Sequence, residues 1–209
     1  MSEQNDRPLL EASLESAEVI VDAVVNDEVL KEIPVVSIAI SICKGIESIR
    51  NRVFAAKLQS FVFGLGQNHE VLAAKYRRKI EESPEDARHV GETLFMILER
   101  LSDLDKADLL AALFRAYIDN VITSEDLRRM AQAVDMSFMD DLRALFAVER
   151  HPKKSEEAWL RYLAPSGLTA PLGGNTFGDI GAVYYEVTPL GARLQNAYYH
   201  GRKKLAGTK

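Results

Sequence analysis

The chain has 209 residues, 47% hydrophobic and 27% charged, which are the proportions of a globular protein long enough to bury a core. Its net charge of -5 is unevenly distributed: residues 1–150 hold 18 Lys and Arg against 27 Asp and Glu, and residues 151–209 hold 8 against 4. The single cysteine, Cys43, excludes an internal disulfide and a cysteine-based metal cluster, and together with the polar, acidic first six residues it favours a cytoplasmic protein.

Hydrophobic periodicity predicts helices over most of the chain up to His151. Apolar residues recur at steps of three and four from Leu10 to Val24, which predicts an amphipathic helix of about four turns. Pro34 interrupts this pattern and stands in the first turn of a second predicted helix, roughly residues 34–48. A third helix is predicted over residues 49–63, and the glycine-containing stretch 64–68 ends it.

Capping signals mark the next helix starts. Ser83 followed by Pro84 predicts a helix that runs to about residue 101, and Asp103 can cap the helix after it. Thr123 and Asp126 form a near capping box for a further helix. The residues predicted to form the apolar faces of these later helices are Leu109, Leu110, Leu113, Phe114, Tyr117, Leu127, Met130, Ala131, Val134, Phe138, Leu142, Leu145 and Phe146. The sequence therefore predicts a helical bundle with short connections.

Proline, glycine and aromatic residues become frequent after residue 150. Trp159 and Leu163 suit a short helix, and the alternation of residues 182–187 predicts a strand. Thr188 and Pro189 then serve as the N-cap and the first residue of a last helix. We predict a boundary near residue 150, between a helical bundle (1–150) and a C-terminal module (151–209) to which the helix at 138–149 can contribute.

The last third of the chain resembles the winged-helix superfamily over residues 138–200. The resemblance rests on a helix that ends in residues 163–168 (LAPSGL), a glycine-rich wing at 173–181, and residues 185–191 (YEVTPLG) leading into the last helix. Together with the bundle predicted from periodicity, it implies a mainly α fold in which an N-terminal helical bundle is followed by a small α+β winged-helix module with a β-hairpin wing.

Many winged helices bind DNA, so the charge of this module bears on function. The candidate recognition helix, residues 156–163, carries two carboxylates and one arginine, and the wing carries Asp179 and no basic residue. Carboxylates repel phosphates, which makes contact with protein the leading interpretation and DNA binding the alternative. The basic residues that remain as candidate contacts for nucleic acid or another anion are Lys153, Lys154, Arg161, Arg202, Lys203 and Lys204.

The apolar region between residues 19 and 46 supports a third hypothesis. Its longest uncharged run, residues 33–43, is too short to span a bilayer as a helix. Basic residues follow the run, as in segments that insert apolar side chains beside anionic headgroups. The candidate membrane or partner contacts within residues 33–57 are Ile38, Ile42, Lys44, Arg50 and Arg52. A central core helix covered by its neighbours explains the same pattern.

The order of these segments resembles the Abi-alpha proteins of bacterial phage resistance. Apolar N-terminal helices, an acidic bundle and the winged C-terminal end carry the resemblance. It implies a bacterial protein that acts in abortive infection or superinfection exclusion, on the inner membrane surface if the third hypothesis holds.

Signatures of an enzyme are missing from the sequence. The four histidines are scattered without metal-ligand spacing, and neither a phosphate-binding glycine loop nor a nucleophile elbow is present. We therefore expect a non-enzymatic interaction or regulatory protein with no catalytic residue, cofactor, metal or small-molecule substrate. Its expected partner is another protein or a second copy of this chain.

Overall fold

The structure is a computed structural model that describes residues 28–33, 36–37, 49–66, 68–149, 151, 153–173 and 183–206. The chain divides into two compact units, Met1–Ala111 and Ala112–Lys209, and the division falls within a helix. Eight α-helices and a small antiparallel sheet near the C-terminus are found in the described residues. The prediction of a mainly α fold with a small β element at this end is confirmed. The predicted boundary near residue 150 stays a prediction.

The first unit is a bundle of helices around an apolar core. Its elements are a 3-10 turn (Leu30–Glu32), α1 (Ile49–Leu65), α2 (His69–Glu82), α3 (Pro84–Arg100) and the first half of α4 (Leu104–Ile118). Helix α3 packs against both α1 and α2, and α2 packs against the 3-10 turn. The largest buried side chains between these helices are Ile33, Leu58, Phe61, Leu65, Tyr76, Leu94, Ile97, Leu98, Leu109 and Leu110.

Side chains form hydrogen bonds with free backbone groups at both ends of α3 in this unit. The Ser83 hydroxyl accepts a hydrogen bond from the Asp86 N–H (3.4 Å), with Pro84 as the first helical residue, so the predicted cap is confirmed. At the other end of α3, the Lys57 ammonium donates to the Glu99 carbonyl oxygen (2.7 Å). The last carbonyl groups of a helix have no partner within it, so this contact both caps α3 and ties it to α1.

The second unit adds a three-stranded sheet to helices. Its elements after α4 are α5 (Ser124–Met136), α6 (Met139–Ala147), β1 (Lys153–Ser155), α7 (Ala158–Leu163), a 3-10 turn (Ala164–Ser166), β2 (Thr169–Gly173), β3 (Val183–Val187) and α8 (Pro189–Ala206). The strand order is β1-β3-β2, with both pairings antiparallel. Strand β2 pairs with β3 from Thr169 opposite Val187 to Gly173 opposite Val183. The register of β1 on β3 shifts between Lys153 and Ser155.

Helix α8 holds the C-terminal end of α6. The Gln195 amide nitrogen donates to the carbonyl oxygens of Leu145 (2.9 Å) and Val148 (2.7 Å), and the Tyr199 hydroxyl donates to the carbonyl oxygen of Phe146. Helix α6 has no basic residue in its last turn to interact with these carbonyl groups. The side chains of α8 therefore satisfy polar groups that burial would otherwise leave unpaired.

Most local expectations agree with the described residues. The helix expected at 49–63 is α1, the strand expected at 182–187 is β3, and the capping box of Thr123 and Asp126 is present. Thr188 caps α8 as expected, since its hydroxyl accepts from the Gly191 N–H (3.2 Å). Three expectations concern residues that the structure does not describe. These are the helix at 10–24, most of the helix at 34–48, which includes Cys43, and the wing after Gly173.

One local expectation was wrong, and one predicted helix is present with a later start. Phe138 does not lie on the apolar face of a helix, because α5 ends at Met136 and α6 begins at Met139, which leaves Phe138 between them with 81% of its surface exposed. The short helix expected at 156–163 begins at Ala158, so Glu156 and Glu157 precede it.

The close contact between α8 and α4 gives a stability prediction. A Cβ atom on Gly201 would lie 2.4 Å from the carbonyl oxygen of Ala112, which is backbone and cannot rotate away. Although alanine normally favours a helix over glycine, we expect Gly201→Ala to lower the free energy of unfolding by about 1–3 kcal/mol, as overpacking does.

Urea unfolding measures this change, and Asn196→Ala is the control at an exposed position of the same helix. The control should change the unfolding free energy by less than about 0.5 kcal/mol. An unfolding midpoint of Gly201→Ala equal to or above that of the wild type would contradict the close contact.

Candidate interaction surface

Three of the predicted basic contacts lie close to the sheet. Lys153 and Lys154 lie on β1, Arg161 lies on α7, and both elements contact β3. In the register of β1 on β3, Lys153 stands opposite Glu186. The sheet thus places an acidic residue directly across from one of the three basic positions.

Helix α7 presents mixed charge. Arg161 and Tyr162 are exposed, and the Arg161 guanidinium lies over the Tyr162 ring, 5.1 Å from its centroid. Glu156 and Glu157, which are also exposed, come immediately before the helix. Helix α7 is six residues long and is the single α-helix between β1 and β2, a stretch that is described throughout, whereas a helix-turn-helix has two consecutive helices.

The other three predicted basic contacts lie in the last two turns of α8. Arg202 and Lys203 are exposed, and the backbone of Lys204 is helical. The Arg202 guanidinium carbon is 5.7 Å from the centroid of the Tyr198 ring. Tyr198 in turn stacks on Phe146, with ring centroids 4.1 Å apart. Arg202 therefore lies against the aromatic contact that joins α8 to α6.

The predicted membrane or partner contacts fall mainly outside the described residues. Ile38, Ile42 and Lys44 are not described, and Arg50 and Arg52 lie in the first turn of α1 without a described side chain. Among the helices that the structure describes, none is both long and apolar enough to cross a membrane.

Two of the four histidines have contacts in the second unit that connect α8 to its neighbours. His151 Nε2 lies 2.7 Å from the Gln195 side-chain oxygen, and His200 Nε2 lies 2.9 Å from the Asp119 carboxylate. Across the described ranges, no three His, Cys, Asp or Glu side chains come together as a group that could hold a metal ion.

An open cleft in the second unit combines apolar and charged side chains. It lies between α5, the 3-10 turn at 164–166 and the first turn of α8, and its volume is about 520 Å³. We call this surface the α5 cleft. Its lining residues are Glu125, Arg128, Arg129, Gln132, Ala133, Met136, Ser166 and Leu190. Because the cleft is open to solvent, it suits contact with a few side chains of a partner better than enclosure of a small ligand.

The periodicity of α5 explains why these side chains share one face. Leu127, Met130, Ala131 and Val134 recur at helical spacing and are buried in the core. The exposed stripe on the other side of the helix consists of Glu125, Arg129, Gln132 and Met136, at steps of four, three and four. One helix thus supplies both a core face and one wall of the cleft.

Two polar contacts hold the walls of the cleft in place. The Asp126 carboxylate accepts from Arg193 on α8 (2.8 Å) while it completes the capping box of α5. On the opposite wall, the Thr188 hydroxyl shares its one hydrogen between the carbonyl oxygens of Gly167 (2.7 Å) and Leu168 (3.1 Å). The start of α8 is therefore bound both to α5 and to the turn that contains Ser166.

The charges within the cleft are only partly neutralised. Arg129 donates from two nitrogen atoms to the same oxygen of Glu125, at 3.1 and 2.7 Å. The Arg128 Nε donates to the Ser124 carbonyl oxygen (3.4 Å), which holds that guanidinium along α5. With two guanidinium groups and one carboxylate, the lining has an excess of positive charge, and the same lining includes the exposed Met136.

The sequence contained part of the signal for this cleft, although the candidate residues did not include it. The exposed stripe on α5 follows from the same periodicity that predicts its buried face. The opposite wall could not be inferred in this way, because Ser166 and Leu190 lie about thirty and fifty residues further along the chain.

Comparison with known proteins gives no assignment. The chain matches no protein-family model, and it has no significant match among curated proteins or solved structures. The winged-helix and Abi-alpha resemblances stay predictions, and the geometry of the second unit is the basis for a functional proposal.

Proposed function

We propose that the chain is a non-enzymatic interaction protein whose second unit binds a protein partner through the α5 cleft. The composition of the cleft carries this proposal. Arginine and methionine are enriched at protein interfaces, and here Arg128 and Arg129 line the same cleft as Met136, whose exposed fraction is 57%. An adaptable thioether beside cations suits a partner that offers both an apolar side chain and hydrogen-bond acceptors.

The supporting structure of the cleft also favours binding. The Asp126–Arg193 ion pair and the Thr188 hydrogen bonds order both walls before any partner arrives. A preordered surface loses less conformational entropy on association than a mobile one, so more of the contact energy remains as affinity.

Cross-linking in cells tests the proposal. We expect the full chain to form a discrete covalent adduct with a partner. The double variant Arg129→Glu with Met136→Asp should reduce the amount of adduct by about tenfold or more. The reason is that the variant places like charges and an unpaired carboxylate at the interface. An adduct at twice the mass of the chain would identify a second copy as the partner.

The matched control replaces an exposed arginine with glutamate and an exposed apolar residue with aspartate elsewhere in the second unit. Arg143 on α6 and Val121 after α4 are exposed, so Arg143→Glu with Val121→Asp should leave the adduct unchanged. An adduct that both double variants retain would place the binding surface outside the cleft. If the wild-type chain forms no discrete adduct, the proposal of a protein partner fails.

We propose phage defence in the cytoplasm of a bacterium as the setting of this interaction, which the Abi-alpha resemblance supports. Cells that express the chain should then plate at least one susceptible phage at lower efficiency than cells that express the cleft double variant. Equal plating of a broad phage panel on both strains would remove this part of the proposal.

A DNA-binding regulator is the second candidate, and one observation favours it. Arg161, Arg202 and Lys203 are exposed on the second unit, which has a net charge of +2 from 13 Lys and Arg against 11 Asp and Glu. The short α7, with Glu156 and Glu157 before it, weighs against duplex binding because the carboxylates repel phosphates.

Fluorescence anisotropy with duplex DNA at low salt separates the two candidates. On the leading proposal, the labelled duplex shows no saturable binding. On the alternative, the affinity falls steeply as salt is added, and replacing Lys153 and Lys154 with glutamine weakens it. Saturable binding with both properties would favour the DNA regulator over the protein-binding proposal.

A further inference from the structure

We infer that the segment bound in the α5 cleft is an acidic peptide with one apolar anchor side chain. This inference rests on the proposed function and names the chemistry of the partner. It follows from the juxtaposition of two guanidinium groups with an apolar surface on one side of α5.

The guanidinium groups define the charge of the peptide. Arg129 is paired with Glu125, but the two side chains are 66% and 65% exposed. Water competes for both charged groups, so this ion pair is weak. An incoming carboxylate can take a bidentate position on Arg129, which is a stronger geometry than the two bonds that now converge on one oxygen.

Arg128 provides a second position for an acidic side chain. Its contact with the Ser124 carbonyl oxygen uses one of the five N–H donors of the guanidinium. The contact orders the side chain along α5, next to Arg129 in sequence and within the same cleft. A peptide with two carboxylates can therefore meet both arginines.

The apolar residues define the anchor. Met136 closes the end of the exposed stripe on α5, the buried Ala133 lies one turn before it, and Leu190 approaches from the first turn of α8. These three side chains offer no hydrogen bond to a phosphate, but they can bury a leucine, methionine or phenylalanine side chain of the peptide. An unbranched methionine adapts to each of these shapes.

The Glu125 carboxylate distinguishes a peptide from a nucleic acid. A phosphate backbone carries a negative charge at every nucleotide, so a duplex lying on the cleft would bring phosphates close to Glu125 as well as to the arginines. A peptide can present its carboxylates to the arginines and a backbone N–H or a neutral polar side chain to Glu125. The mixed lining therefore fits a peptide better.

Selection from a random library tests this inference. Short random peptides displayed on yeast are sorted against the full chain, and the enriched peptides are synthesised with a fluorescent label. We expect them to combine at least two Asp or Glu with a Leu, Met or Phe. We expect Arg128→Gln with Arg129→Gln to weaken binding by about tenfold or more, the loss of two charge-assisted contacts.

Two single changes complete the test. Met136→Ala should weaken binding by about threefold or more through loss of the anchor contact, while Arg143→Gln, which removes an exposed arginine of α6, should not change it. Circular dichroism confirms that the variants fold. Enriched peptides that are basic or uncharged, or an affinity that is unchanged in the double arginine variant, would overturn the inference.

The outcomes also separate this inference from the proposed function. If the cross-linked adduct depends on the cleft but the peptides do not need the arginines, the acidic chemistry is wrong and the protein-binding proposal stands. If the adduct does not depend on the cleft, the proposed function itself fails. If duplex DNA displaces the peptides, and if DNA binding also depends on Arg128 and Arg129, the inference of a peptide ligand is overturned and the cleft is a general anion-binding surface.

Discussion

The α5 cleft of the second unit depends most on the hydrogen bonds that the Thr188 hydroxyl group makes. This hydroxyl donates to the carbonyl oxygens of Gly167 and Leu168 and accepts from the N–H of Gly191, so one side chain joins the turn after α7, the end of β3 and the start of α8. Because the hydroxyl has one hydrogen, its two carbonyl contacts amount to one shared hydrogen bond, and a full hydrogen bond contributes about 1 kcal/mol in net terms. Gly191 reinforces the contact, because a Cβ atom there would lie 2.2 Å from the Leu168 carbonyl oxygen. Ser166 and Leu190 are therefore placed on the same wall of the cleft by local chemistry.

The two ion pairs at the cleft have different roles, which their exposure decides. Asp126 has 14% of its side chain exposed, pairs with Arg193 and completes a capping box, so this carboxylate stabilises the position of α5 against α8. Arg129 and Glu125 form a pair on the open surface, where such contacts are typically worth about 0.2–1 kcal/mol and are screened by salt. The first pair holds α5 and α8 together, whereas the second is weak enough for a partner's carboxylate to compete for Arg129.

Local signals predicted a large part of the fold. The caps at Ser83, Thr123 and Thr188, and the buried face of α5, follow from hydrogen bonds and periodicity within a few residues, and the structure confirms them. The hairpin expected around the wing is formed by β2 and β3. The bounds of β2 and the existence of β1 were not predicted, because the pairing with β3 that defines both strands involves residues distant in sequence. Phe138 was predicted wrongly, since the break between α5 and α6 changes the helical phase. The cleft needed three segments brought together by the fold, which periodicity alone does not reveal.

Nuclear magnetic resonance of the full chain, labelled with ¹³C at the methionine methyl groups, tests the binding role of the α5 cleft most directly. The chain has five methionines, and Met136 and Met96 are both 57% exposed, the former in the cleft and the latter on α3 of the first unit. Titration with the tightest of the selected peptides should shift the Met136 signal in proportion to saturation and leave the Met96 signal in place. Saturated binding that leaves the Met136 signal unmoved would contradict the account.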